Sequence, residues 1–234
     1  MKNVKTLALS VAIAGVLMSG SAVAELSGNV GATSNYMWRG QTQTSGDAAV
    51  QGGVDYTNAG IYAGIWTSNS AFNSPETDFY VGYKGEAGGL GYDVNVMAYK
   101  YLQTAPGIDI DWNELNANFS MGAITFGLGY TSSYGNTDST GTYIQAGYGM
   151  PVGKESTLTF HIGNYGFDEN ETTATVFGAG IDDYVDYSIT LSKCEWSFMY
   201  ADTTLDDTSP NGGTGNGTNG DPVFVVSWKT TVEL

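Results

Sequence analysis

The chain of 234 residues lacks most of what soluble enzymes are built from. It has one cysteine, one histidine and one arginine, and only 14% of its residues are charged. A single cysteine excludes a disulfide framework, and together with a single histidine it excludes Cys/His zinc clusters. Eight basic residues against 24 acidic ones give a formal charge of -16. That balance excludes a nucleic-acid surface, because neutralising phosphates takes Lys and Arg. No apolar run reaches the roughly 20 residues of a spanning helix. Instead there are 33 glycines and 16 tyrosines, set among Thr and Asn, a mixture that favours strands and turns over helices.

At the N-terminus, Lys2 and Lys5 precede an apolar run from Leu7 to Met18 and a small-residue stretch ending in Ala22-Val23-Ala24. That is the pattern of a secretory signal with an A-x-A cleavage site. Residues 1–24 are therefore expected to be removed on export to the periplasm, leaving residues 25–234 as one domain. Loss of the two lysines takes the formal charge from -16 to -18.

From Leu26 onward, apolar and small polar residues alternate. Leu26, Val30, Ala32, Tyr36 and Trp38 share one parity; Ser27, Asn29, Thr33 and Arg39 share the other. This predicts a strand of about a dozen residues, roughly twice the usual globular length. The same period recurs around Val54, Val81, Val94, Phe126, Ile144, Phe160, Ile189, Phe198 and Val226. It is less clean over Ile61–Asn69 and Ile110–Met121. In the first of these, Tyr62 and Trp66 compete with Ile61 and Ile65 for the apolar face. The total is about twelve strands, with ten or fourteen compatible with the same pattern. The run from Phe177 to Leu191 is read as sharing one face. Glu195 is read as pointing inward with Ser197, and Cys194 as lying on the apolar face.

The connections alternate long and short, the long ones beginning at Gly40, Ser68, Gln103, Ser132, Gly166 and Asp202. The short ones are read at Asn58-Ala59-Gly60, Glu86–Gly89, Gly122, Pro151–Ser156 and Ser192-Lys193. Sorting of loops to two ends, an even strand number and apolar-out/polar-in alternation describe a transmembrane antiparallel up-and-down β-barrel. In lipid, only helices and closed barrels pair every backbone group. The last strand is expected to pair with the first. Tyr36, Trp38, Tyr56, Trp66, Trp196, Tyr200 and Trp228 are expected near strand ends as an aromatic girdle. A secreted β-sandwich also alternates, but its connections do not separate into a short end and a long end. Its polar face would also carry more Lys and Glu than the Gly, Asn, Thr, Ser and Asp found here.

Three segments resemble the opening of the TorF-type putative porins, a family of proteobacterial outer-membrane proteins. They are Ser34–Gly40 with Gln43 shortly after, Ala49–Tyr56, and Gly60–Asn69. The resemblance covers about the first third of the exported chain. It implies a Gram-negative outer-membrane barrel with a porin role, and no particular solute.

Catalysis is not expected. His161 is mid-strand with no serine or acid motif beside it in sequence, and Gly127-Leu128-Gly129 and Gly178-Ala179-Gly180 lie within strands and open no phosphate-binding helix. Neither a cofactor nor a metal site is expected, although Asp168–Glu171 and Asp206-Asp207 could bridge to lipopolysaccharide through divalent ions. The parity points Arg39, Gln51, Asp55, Asp78, Lys84, Asp93, Glu114, His161, Asp186 and Glu195 into the lumen. Tyr80, Tyr99, Tyr101 and Tyr143 point the same way and would narrow it. The expected function is passive diffusion of small solutes, with acidic walls favouring cations or neutral molecules over anions. The alternative is a closed barrel acting as a structural or adhesive surface protein through its loops. Partners would be outer-membrane lipid and lipopolysaccharide, the solutes, and the barrel-assembly machinery. Arg39, the sole arginine, is expected to pair with a carboxylate and hold the first long loop near the pore mouth.

Overall fold

Alternation with period two makes each strand a two-faced ribbon, apolar on one side and small or polar on the other. Such a ribbon is stable between lipid and an enclosed lumen once its two edges are joined. The computed structural model describes residues 24–72, 74–168, 183–205 and 221–234. Among them are strands β1 (Glu25–Thr33), β2 (Met37–Trp38), β3 (Gln41–Thr42), β4 (Ala49–Asn58), β5 (Ile61–Ser68), β6 (Glu76–Ala87) and β7 (Leu90–Tyr101). They continue with β8 (Trp112–Met121), β9 (Ile124–Thr131), β10 (Thr140–Gly153), β11 (Ser156–Asp168), β12 (Tyr184–Lys193), β13 (Trp196–Thr203) and β14 (Val223–Glu233). β1 and β4 to β14 form a closed, all-antiparallel barrel of twelve strands in meander order. Closure is made by β1 against β14, from Ser27↔Glu233 to Thr33↔Ser227. Ten residues at about 3.3 Å each, tilted by about 40°, rise about 25 Å, the height of an apolar membrane band.

Leu26 and Val30 on β1, Phe79 and Val81 on β6, Phe126 and Leu128 on β9, and Ile189 and Leu191 on β12 are all exposed on the outer wall. In β5 the ambiguity resolves: Ile61 and Ile65 face out, while Tyr62 and Trp66 face in. Trp66 therefore leaves the expected girdle, whereas Tyr56, Trp196 and Tyr200 remain on the outer face.

Five connections at one end are two-residue turns: Ala59-Gly60, Gly88-Gly89, Gly122-Ala123, Lys154-Glu155 and Cys194-Glu195. Ala59-Gly60 and Gly88-Gly89 have positive φ at both positions, as the primed hairpin turns that match strand twist require. The last turn lies two residues beyond the expected Ser192-Lys193. Cys194 is consequently an exposed turn residue at φ 52° and not a member of an apolar face.

The largest departure follows β1. The strand has nine residues, not a dozen. After Thr33 the chain bends into the barrel and forms a small hairpin, β2–β3, with Met37↔Thr42 and Trp38↔Gln41 paired. Tyr36 and Trp38 therefore face other rings inside the lumen instead of joining an outer girdle. A buried aromatic cluster forms there, in which Trp38, Tyr134 and Phe167 pack against Tyr143, Tyr165, Tyr184 and Leu205. The stretch at 177–182, the acidic positions 169–171 and 206–207, and the Gly/Asn tract at 210–220 lie outside the described residues.

Candidate functional site

The segment between β1 and β4 folds as a self-bonded unit within the long-loop half of the lumen. Gln43 N–H donates to the Tyr36 carbonyl at 2.7 Å. The Thr42 hydroxyl donates to Asn35 Oδ1 at 2.7 Å, and Tyr36 N–H donates to Thr44 Oγ1 at 3.1 Å. At its tip, Arg39 (φ 47°) and Gly40 (φ 77°) are both left-handed. Gly40 sits so close to the wall that a Cβ would fall 2.5 Å from Thr203 Cγ2 and 2.6 Å from Asp186 Cβ. No larger residue fits there without displacing the wall.

Arg39 anchors the tip. Its guanidinium donates in parallel to both Glu114 oxygens on β8, Nη1 at 2.8 Å and Nη2 at 2.7 Å. The two side chains retain only 6% and 1% of their exposure. The same guanidinium lies over the rings of Trp38 at 4.4 Å, Tyr143 at 4.1 Å and Tyr165 at 4.6 Å, within cation–π range. Tyr184 donates its hydroxyl to the Arg39 carbonyl at 3.0 Å. Burial, the largest single influence, would lower the guanidinium's pKa, but the charge and hydrogen bonds of Glu114 together with the Tyr165 and Tyr99 phenols outweigh it and hold it above its ordinary value. The arginine is locked in charged form.

Beneath Gly40, Asp186 accepts from Tyr143 at 2.9 Å through Oδ2 and faces His161 Nε2 at 2.8 Å through Oδ1. His161 Nε2 also lies 3.1 Å from the Tyr143 hydroxyl. A nucleophilic triad needs one imidazole nitrogen on the acid and the other on the nucleophile. Here a single nitrogen serves both contacts, and no serine is bonded to His161 among the described residues.

On the opposite wall, Glu76 accepts from Tyr36 at 2.7 Å and from Tyr101 at 2.6 Å. Burial first, and then Glu76, push the Tyr36 phenol above its ordinary pKa, so it stays a donor. Asp78, two residues on, has a buried Oδ1 with no hydrogen-bond partner.

The short-turn half of the lumen is arranged differently. Asp55 accepts from Asn29 at 3.1 Å and from the Tyr80 hydroxyl. Asp93 accepts from the Tyr62 hydroxyl and from Asn95 at 3.3 Å. Tyr80 lies over Gly64 and Tyr62 over Gly82, each ring within about 2.5 Å of where a Cβ would stand. These rings lie flat on the wall because the residue across the ladder has no side chain. Lys84 stands 5.4 Å from the Tyr62 ring.

Of the lumen residues expected from parity, Arg39, Glu114, His161 and Asp186 gather around the hairpin. Asp78 lies on the opposite wall of the same half. Asp55, Asp93 and Lys84 fall in the other half, and Gln51 bonds Ser68 at 3.4 Å on the β4–β5 wall. Glu195 does not belong with them: it sits in the turn after β12, because the strand runs two residues further than read. Glu76 and Lys229 were missed. Glu76 has the same parity as Asp78 but precedes the point where the alternation becomes visible, and Lys229 shares the inward parity of Val225. Among the described residues, no group of three or more His, Cys, Asp or Glu side chains is placed to hold a metal.

Solved structures with similar folds include the NanC porin, at 10% identity and TM-score 0.48, covering 89% of this chain and 98% of that one. OccK5 (OpdH) of Pseudomonas aeruginosa matches at 16% identity and TM-score 0.40, covering 80% of this chain. The outer-membrane protein OpdK of Pseudomonas aeruginosa matches at 16% and 0.40, covering 89%. The chain spans 59% and 61% of the length of these two. Among curated proteins none matches. The profile of the Gcw_chp family, described as a bacterial protein of unknown function, matches residues 18–232, and the chain belongs to that family.

Proposed function

We propose that this protein is an outer-membrane barrel that passes small solutes, with the inward hairpin at 34–48 as the element that restricts passage. Residues 1–24 would be its export signal through the periplasm, and the barrel-assembly machinery and lipopolysaccharide would be its partners in the membrane. The observation that carries this reading is a polar lumen inside an apolar outer wall, blocked in one half by a separately folded segment. A barrel intended only as a scaffold could fill its lumen with wall side chains, as eight-stranded barrels do. This one instead inserts a separate segment, held to the wall by the Arg39–Glu114 pair and the Tyr184 hydroxyl. The resemblance of the first third to TorF-type porins points the same way.

The solute preference follows from charge. Asp55, Glu76, Asp78, Asp93 and Asp186 line the lumen against Lys84 and Lys229, and its arginine is fully engaged by Glu114. Walls of one sign in a confined space concentrate the opposite charge, so cations and neutral solutes should pass ahead of anions. A second reading, a closed barrel serving as a surface scaffold through its loops, is favoured by the dense aromatic packing around Trp38.

Single-channel recording on the refolded protein separates the two. Discrete conductance steps, with a reversal potential on the cation side in a salt gradient, are expected. Silence from both the parent and Arg39→Ala would favour the scaffold, and a reversal potential on the anion side would overturn the charge argument.

A further inference from the structure

Where the inward segment meets β6, two acids stand side by side without a cation. Glu76 is 2% exposed and Asp78 5%, and two residues apart on one strand they share its inner face. Tyr36 of the segment donates to one Glu76 oxygen at 2.7 Å, and Tyr101 of β7 donates to the other at 2.6 Å. Asp78 stands between Trp66 of β5 and Tyr99 of β7 in the ladder. Its buried Oδ1 has no hydrogen-bond partner. Tyr36 reaches both strands, its ring edge-on to Trp66 at 5.5 Å.

Neither acid belongs to the ion pairs found among the described residues, which are Arg39–Glu114, Lys100–Asp111 and His161–Asp186. Arg39 gives both arms of its fork to Glu114. The titratable groups that face the two acids are phenols: Tyr36 from the segment, Tyr99 and Tyr101 from β7, and Tyr134 from the loop ahead of β10. Next along β6 is Tyr80, whose hydroxyl is on Asp55. Trp66 and Ser68 of β5 do not titrate. A dry carboxylate without a cation is costly, and two such neighbours are costlier still. One proton held between them removes most of that cost. Glu76 has a donor on each oxygen, so the proton belongs on Asp78, whose oxygen nothing serves. If the segment leaves, Tyr36 goes with it, water reaches both acids, and both can carry charge.

We propose that the segment at 34–48 is a proton-linked latch, docked over one proton held by the Glu76–Asp78 pair and loosened when that proton is lost. This rests on the function proposed above, in which the segment restricts passage, and adds what regulates it. The docked form binds one proton more than the open form. Docking is therefore firmest in acid and weakens as pH rises, by up to about tenfold for each pH unit.

The test is the rate of the trypsin cut after Arg39 in the refolded full chain in detergent micelles, read by mass spectrometry from about pH 6.5 to about pH 9.5. Dividing by the rate on a free peptide of residues 34–48 cancels trypsin's own pH profile, and heat-modified gel mobility verifies that each variant is folded. The normalised rate of the parent is expected to rise at least about tenfold across the range. Asp78→Asn, which keeps the shape of the neutral acid, should stay flat, while Glu86→Gln at the short-turn end should follow the parent. A flat parent, or an Asp78→Asn profile that rises as the parent's does, would overturn the proposal. So would a profile flattened by His161→Gln, which would move the switch to the His161–Asp186 contact. If Asp78→Asn does not fold, the parent and His161→Gln decide. A parent whose cut rises with pH but which passes no current sinks the channel reading only. One that conducts with a flat profile sinks this proposal only.

Discussion

The two halves of the lumen use the same residue, tyrosine, to opposite effect. In the short-turn half, Tyr62 and Tyr80 face glycines across the ladder, Gly82 and Gly64, and lie along the wall with their hydroxyls on Asp93 and Asp55. In the long-loop half, Tyr99 faces Asp78 and Trp112 and stacks outward from the wall onto Trp112. Tyr143 stands between these cases: it lies over Gly163, and its ring becomes a platform 4.1 Å beneath the Arg39 guanidinium. What stands opposite a ring, more than the ring itself, decides whether a tyrosine clears a lumen or fills it.

The hairpin should be the easiest part of the contrast to abolish. Arg39→Ala or Glu114→Ala leaves one buried charge without its partner, at a cost of about 3–5 kcal/mol to the docked state. The expected result is a folded barrel with higher conductance and rapid proteolysis within residues 34–48. Arg39→Lys should fall between parent and alanine, since an ammonium cannot reproduce the two parallel bonds. Parent-like conductance and protease resistance in all three would remove the hairpin's role.

The inside–outside distinction should show next. Phe126→Arg and Val94→Arg place a cation on the outer wall and should cost about 2–4 kcal/mol in lipid. Thr125→Arg and Asn95→Arg, on the other parity, should assemble. Folding yield into vesicles compares them, and equal yields would refute the assignment of faces.

A smaller effect is expected from Gly82→Ala. The new methyl would meet the Tyr62 ring and swing it off the wall, at about 1–3 kcal/mol of overpacking. Conductance should fall while the hairpin remains protected from protease, the reverse of the Arg39 result. The smallest is Lys100→Ala. Its 3.2 Å pair with Asp111 is about one-third exposed on both sides, so stability should change by about 1 kcal/mol or less, as measured by urea-dependent unfolding in micelles.

Much of the barrel was legible because alternation is a local signal. Each strand such as Ile124–Thr131 states its own faces, and Gly60, Gly88-Gly89 and Gly122 mark three of the five short turns. The inward hairpin was not legible, for a physical reason. Tyr36 and Trp38 continue the parity of Leu26 and Val30, but the chain bends inward after Thr33, and the left-handed Arg39-Gly40 turn, held by contacts far along the chain, folds the segment back inside. A lone arginine among carboxylates implies a partner, but nothing local selects Glu114, 75 residues away. Glu195 was misplaced because β12 overruns its apolar pattern by two residues, and Glu76 was missed because its strand begins before its alternation does.

The hairpin's anchors also impose an order on assembly. It leaves the wall between β1 and β4, near the start of the chain, yet its backbone is held by Tyr184, 145 residues on, and its tip rests on Thr203 of β13. Those anchors do not exist until most of the barrel is built. Until then the segment has only its contacts to Glu76 on β6 and Glu114 on β8, and the far side of its tip is unsupported. Joining β1 to β14 requires the chain's two ends to meet, the most distant contact in the molecule and the kind that loop-closure entropy makes slowest. The barrel is thus threaded by its own early segment and sealed from within only as its last strands arrive, so an incomplete barrel is an unsealed one.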